Sequence, residues 1–162
     1  MRKIILLGLC ISLLCATGCQ KEILVLCTLT EQSKQELSEE RQIFYVEFVR
    51  ATVEAMEFIK DESTTYEAGL QELQNVYRKV PKDWSWSELT IEDKAITFFM
   101  KMMDCYMGCQ NYTNYADCKD AVELLINDIV VGFEDEDRVR EGLSFSEARF
   151  KEIYDRGKEM LK

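Results

Sequence analysis

The chain has 162 residues, 47% hydrophobic and 31% charged, with one proline, seven glycines, seven cysteines and no histidine. That length suits a single domain burying about 70% of the surface its unfolded chain would expose. Twenty basic against thirty acidic residues give a formal charge of −10 with no basic run to track a phosphate backbone, which argues against a nucleic-acid partner, and the lack of histidine removes every Ser-His, Cys-His or His-metal arrangement.

At the amino terminus, Arg2 and Lys3 precede an apolar stretch from Ile4 to Cys15, followed by Ala16, Thr17, Gly18 and Cys19. A charged start, a short apolar run and small residues read as an export signal. The run is shorter than the roughly 20 residues that span a bilayer, and Lys21 and Glu22 interrupt it. Ala16-Thr17-Gly18-Cys19 resembles the lipobox of bacterial lipoproteins, although the class usually has leucine where this chain has Ala16. The resemblance covers the first 19 residues and implies that Cys19 is lipid-modified and becomes the first mature residue. Cys10 and Cys15 each follow a leucine and do not fit. Ordinary cleavage after Gly18 is the rival reading, since Ala16 and Gly18 also make a small-x-small pattern. A lipidated Cys19 leaves Cys27, Cys105, Cys109 and Cys118, an even set suited to an oxidising envelope. Several acyl chains, at about 0.8 kcal/mol per buried CH₂, would attach the protein firmly to the membrane. Within the lipoprotein class, Gln20 after the cysteine implies the periplasmic face of the outer membrane rather than inner-membrane retention. The expected organisation is a signal peptide at 1–18, a lipid-anchored tether at 19–32 and one helical domain at 33–162. Without residues 1–18 the chain loses Arg2 and Lys3 and no acid, which leaves −12.

Ile23 to Leu29 is a short apolar run expected to pack on the domain or the membrane surface. From Ser33, a Ser-x-x-Glu box with Glu36 predicts one long helix to about Lys60. Its apolar stripe is Ile43, Val46, Val49, Val53, Met56 and Ile59, widened by Phe44, Phe48, Ala51, Ala55 and Phe58; Glu47, Arg50, Glu54 and Glu57 form the wet face. A second helix is predicted from near Thr64, with a box to Glu67, through Tyr66, Leu70, Leu73, Tyr77 and Val80 to Pro81. Gly69 inside it costs about 1 kcal/mol of propensity, so packing must hold it. A third helix, Thr90 to Gln110, aligns Ile91, Ala95, Phe98, Met102, Cys105 and Cys109, with Phe99, Met103 and Tyr106 making it apolar all round. Such a helix belongs at the centre of a bundle. Asn114-x-x-Asp117 caps a fourth helix through Cys118, Val122, Leu125 and Ile129 to near Phe133. After the acids Glu134, Asp135, Glu136 and Asp137, a Ser144-x-x-Glu147 box opens a last helix through Phe150, Ile153, Tyr154 and Leu161. No convincing strand alternation or fixed repeat is present, so the expected fold is all-α, a compact bundle of about five helices.

Cys105 and Cys109 lie one helical turn apart on one face, whereas Cys109 and Cys118 flank the turn between the third and fourth helices. The expected disulfides are therefore Cys109 with Cys118 and Cys27 with Cys105, against the alternatives of free buried thiols or a Cys₄ zinc site whose spacing does not match a zinc knuckle. Trp84 and Trp86, in a loop beside Pro81, read either as a partner-binding anchor or as a cap on the core. Tyr112 and Tyr115 occupy the other loop. Glu134 to Asp137 read as a solvated helix end or an acidic partner-binding patch; Arg140 stands where a calcium loop needs glycine. Asn111-Tyr112-Thr113 fits the glycosylation pattern, of little meaning in a bacterial lipoprotein. The carboxylate pairs Glu39-Glu40 and Glu54-Glu57 fall on predicted wet faces, and S-x-x-K, G-x-S-x-G and G-x-G-x-x-G are absent. No catalytic residue, metal or cofactor is expected. The expected function is that of a lipid-anchored helical protein-binding module of the bacterial envelope, an inhibitor or immunity-type protein for a basic partner among its forms. A structural or assembly lipoprotein is the alternative.

Overall fold

The computed structural model describes residues 28–82, 84, 91–108 and 112–162, and among them the fold is all-α with seven helices. These are α1 (Glu31–Glu36), α2 (Glu39–Lys60), α3 (Tyr66–Tyr77), α4 (Ile91–Met107), α5 (Tyr115–Val130), α6 (Glu136–Leu143) and α7 (Glu147–Glu159). Two differences raise the number above five. The stretch expected as one helix from Ser33 is broken at Leu37, whose extended backbone lets Ser38 cap α2, while Thr30 rather than Ser33 caps α1. The acidic run after Phe133 also starts a helix of its own, because the Asp135 carboxylate accepts from the Arg138 amide. The last helix begins two residues later than expected: Ser146 caps α7, and Ser144 instead ends α6.

The expected tether enters the fold before its predicted end. Thr30 N–H donates to the Gly132 carbonyl and Glu134 N–H to the Thr28 carbonyl, both at 2.9 Å, so Leu29 pairs antiparallel with Phe133 in an isolated bridge. Leu29 is buried, and residues 28–32 belong to the folded body.

The central position expected of α4 holds. Its neighbours are α2, α3, α5 and α7, and it buries Ala95, Ile96, Phe98, Phe99, Met102, Cys105 and Tyr106 among them. Phe48 of α2 meets Phe99 edge-on with centroids 4.9 Å apart, Tyr45 stacks on Phe133 at 5.2 Å and Tyr66 stacks on Tyr106 at 5.1 Å. The stripe of α2 is buried as expected at Val49, Val53, Met56 and Ile59, and differs at single positions: Tyr45 and Thr52 are also buried, whereas Ile43 is 56% exposed and Phe58 faces outward.

Polar side chains close the helix ends. Tyr45 Oη donates to the Ile129 carbonyl at 3.0 Å, satisfying a group in the last turn of α5. Lys60 Nζ donates to the carbonyls of Glu141 and Gly142 at 2.7 and 2.8 Å, capping α6. Arg149 reaches the α2–α3 turn, donating to the carbonyls of Ile59 and Thr64 at 2.8 and 3.1 Å. Gly69 has its packing reason, since a Cβ there would lie 2.8 Å from Tyr106 Oη. Gly108 ends α4 at φ +65°, a conformation glycine adopts at no steric cost.

Candidate functional site

Trp84 is held by the first turns of α2. Its ring meets Phe44 edge-on at 4.4 Å, and the Arg41 guanidinium lies 4.5 Å from the ring centroid on a cation–π contact. Arg41 also faces Glu92 in the first turn of α4, with Nη1 3.6 Å from Oε1. The Glu92 side chain is fully buried, and among the described residues neither carboxylate oxygen has a hydrogen-bond partner. Trp84 thus covers an ion pair at the α2–α4 contact, which fits a core cap. Trp86 lies outside the described residues.

The acids Glu134 to Asp137 serve the fold locally. Asp135 caps α6 and pairs with Arg138 at 3.8 Å, and the Glu134 amide belongs to the bridge with Thr28. Among the described residues no three Cys, Asp or Glu side chains are grouped to hold a metal ion.

The cysteines differ from the expected arrangement. Cys27, Cys109 and the expected lipid attachment Cys19 lie outside the described residues, so each expected disulfide has one member there. The two described cysteines face each other: Cys105 Sγ and Cys118 Sγ are 2.8 Å apart, both buried and both in the thiol state. The physical reason lies in the hairpin. In two antiparallel helices the residues that meet are those equally far from the middle of the turn, and Cys105 and Cys118 are equidistant from residues 111–112. The expected pairing weighed nearness to the turn instead. The hydrogen bond with Cys118, together with burial, holds the Cys105 thiol up; the same bond, helped by Lys158 and Lys101, brings Cys118 down.

Two grooves were not legible in the sequence because their walls come from distant segments. One, of about 270 Å³, lies between α5 and the α6–α7 turn, with Tyr115, Val122, Ile126, Phe145 and Phe150 as its apolar lining and Lys119, Glu123 and Glu147 among its polar lining. Lys119 bridges Glu147 at 3.3 Å and Glu123 at 3.8 Å. The other, of about 460 Å³, is an open trough between α3 and α7 that includes Leu70, Arg156, Glu159 and Met160. None of the expected partner-binding residues that are described lines either groove. The spacing of Tyr115, Lys119 and Val122 on one helix face is the only local signal that would have pointed to the first.

No family model, no curated protein and no solved structure matches the chain.

Proposed function

We propose that this chain is a lipid-anchored protein of the bacterial envelope whose helical body is a non-enzymatic protein-binding module, of the kind that inhibits or neutralises a basic partner. The observation that carries the address is the amino-terminal sequence: Arg2-Lys3, the apolar run to Cys15, and Ala16-Thr17-Gly18-Cys19. Gln20 favours the outer membrane over the inner. The formal charge of −10 supports a basic partner, which such a surface attracts over long range. The groove between α5 and the α6–α7 turn offers what a bound side chain needs, an apolar floor rimmed by charge. The absence of histidine and of nucleophile motifs supports the non-enzymatic reading.

Intact mass of the membrane-extracted protein tests the address. The expected species begins at Cys19 and carries acyl mass that Cys19→Ser abolishes; an unlipidated chain overturns it. Site-specific photocrosslinking from position 123 tests the module. A discrete adduct with a basic envelope protein is expected, and adducts only with other copies of this chain overturn it in favour of an assembly role. That second reading rests on Leu124 on α5 and Val131 at its carboxyl-terminal cap, seven residues apart and each 65% exposed.

A further inference from the structure

We infer that Cys105 and Cys118 form an intramolecular disulfide that joins α4 to α5. The two sulfurs lie 2.8 Å apart, closer than non-bonded sulfur atoms ordinarily approach, and a sulfur–sulfur bond at about 2.05 Å needs only a small further closure. They sit on helices already packed against each other, 13 residues apart across one turn. Cys105 is 3% exposed and Cys118 0%, so a bond between them is shielded from reductants. No third ligand stands beside them among the described residues to make the pair a metal site.

The helix ends make the two thiols unequal. Cys118 follows the first turn of α5, where the positive end of that helix's own dipole favours a thiolate; Cys105 lies in the last turn of α4, where the dipole opposes one. The oxidant is a small-molecule disulfide such as oxidised glutathione. The Cys118 thiolate attacks one of its sulfurs, forming a mixed disulfide and expelling one glutathione thiolate. Cys105 then gives up its proton and attacks Cys118 Sγ, expelling the second glutathione thiolate and closing the protein disulfide. The protein loses two protons and two electrons, and oxidised glutathione takes them up as two thiols. Because both sulfurs are sealed in the folded body, the exchange belongs to the stage before α5 docks on α4.

This inference stands on the α4–α5 geometry and not on the envelope reading, so a chain without lipid would leave it intact. The test is peptide mapping of the full chain by mass spectrometry, on two samples. One is trapped as purified with N-ethylmaleimide in denaturant, and the other is reduced, unfolded and refolded in mixed reduced and oxidised glutathione before trapping. The expected product in the refolded sample is a linked pair of peptides containing Cys105 and Cys118, two hydrogens lighter than their sum, with both residues unlabelled. The Cys27→Ser/Cys109→Ser variant should give the same product, and Cys105→Ala/Cys118→Ala should lose it. Maleimide on both Cys105 and Cys118 in a refolded chain of native helix content overturns the inference. So does recovery of either residue linked mainly to Cys27 or Cys109. If refolding fails, the sample trapped as purified decides by the same two criteria.

Discussion

Gly157 of α7 and the carbonyl of Cys105 in α4 meet with no room for a side chain: a Cβ on Gly157 would lie 1.8 Å from that oxygen and 2.9 Å from the Gly108 amide nitrogen. A Cβ on Gly108 would in turn lie 1.6 Å from the Gly157 carbonyl oxygen. Two backbones touch here, and neither can move by rotating a side chain. Gly157→Ala should therefore cost about 3 kcal/mol or more, above ordinary overpacking, because a helix must shift. Urea denaturation followed by circular dichroism reads this; an alanine variant within 1 kcal/mol of the parent, as an order-of-magnitude bound, would contradict the close crossing.

Arg41 is the counter-charge to a buried carboxylate. Arg41→Ala should destabilise the fold by about 2–3 kcal/mol, under the range for fully buried pairs because the arginine is partly exposed. Glu92→Leu in the same chain should recover most of the loss, since it removes the charge that Arg41→Ala strands. A double-mutant cycle in urea measures the coupling, and strictly additive losses would remove Arg41 from this role.

The stacked pair Tyr66 and Tyr106 predicts an alkaline transition. Burial pushes the Tyr66 hydroxyl up to about 12, and burial likewise raises Tyr106. A phenol whose value is raised on folding keeps its full contribution below its unfolded value near 10 and loses it as pH rises through the folded one. Stability should thus decline from about pH 10 toward 12, and Tyr66→Phe should make the decline shallower. Lys60 acts in the opposite sense: desolvation lowers its value, so its penalty is relieved as pH approaches 10.5. At neutral pH, Tyr66→Phe should match or exceed the parent, because the hydroxyl is buried and has no hydrogen-bond partner among the described residues. Thermal melts across pH 8–12 check both statements; an identical alkaline slope in the variant would count against them.

Asn114 opens α5, and its side-chain oxygen accepts from the Asp117 amide at 3.0 Å. Asn114→Ala should cost about 1 kcal/mol, and Asn114→Ser much less, since serine also caps and sets no second carboxylate beside Asp117. Equal effects of the two, measured by urea midpoint, would show that the cap is not what position 114 supplies.

The same asparagine shows what the sequence makes legible. A cap whose donor lies three residues away is a local matter, and both Asn114 and the Thr64–Glu67 region announced helices within a residue of where they start. Local signals fail where two candidates compete. Ser33 has the capping spacing to Glu36, but its hydroxyl hydrogen-bonds with that of Thr30 at 3.0 Å, and Thr30 takes the cap. Ser144 and Ser146 compete in the same way, and burial of Phe150 and Ile153 on the core side of α7 goes with the later start. The all-α class and the central α4 followed from apolar periodicity, which needs no knowledge of neighbours. The groove of Tyr115, Lys119 and Phe145 and the meeting of Cys105 with Cys118 depend on how α5 lies against other segments, and no spacing within one helix encodes that.

The bridge between Leu29 and Phe133 has a mechanical consequence. Tension arriving through the residues before Thr28 does not run first along α1 into α2, its neighbours in sequence. It passes across two backbone hydrogen bonds into the α5–α6 turn, far along the chain. A pull on the amino terminus is thereby shared with the middle of the bundle, and α1 is shielded from load until the bonds at Gly132 and Glu134 give way.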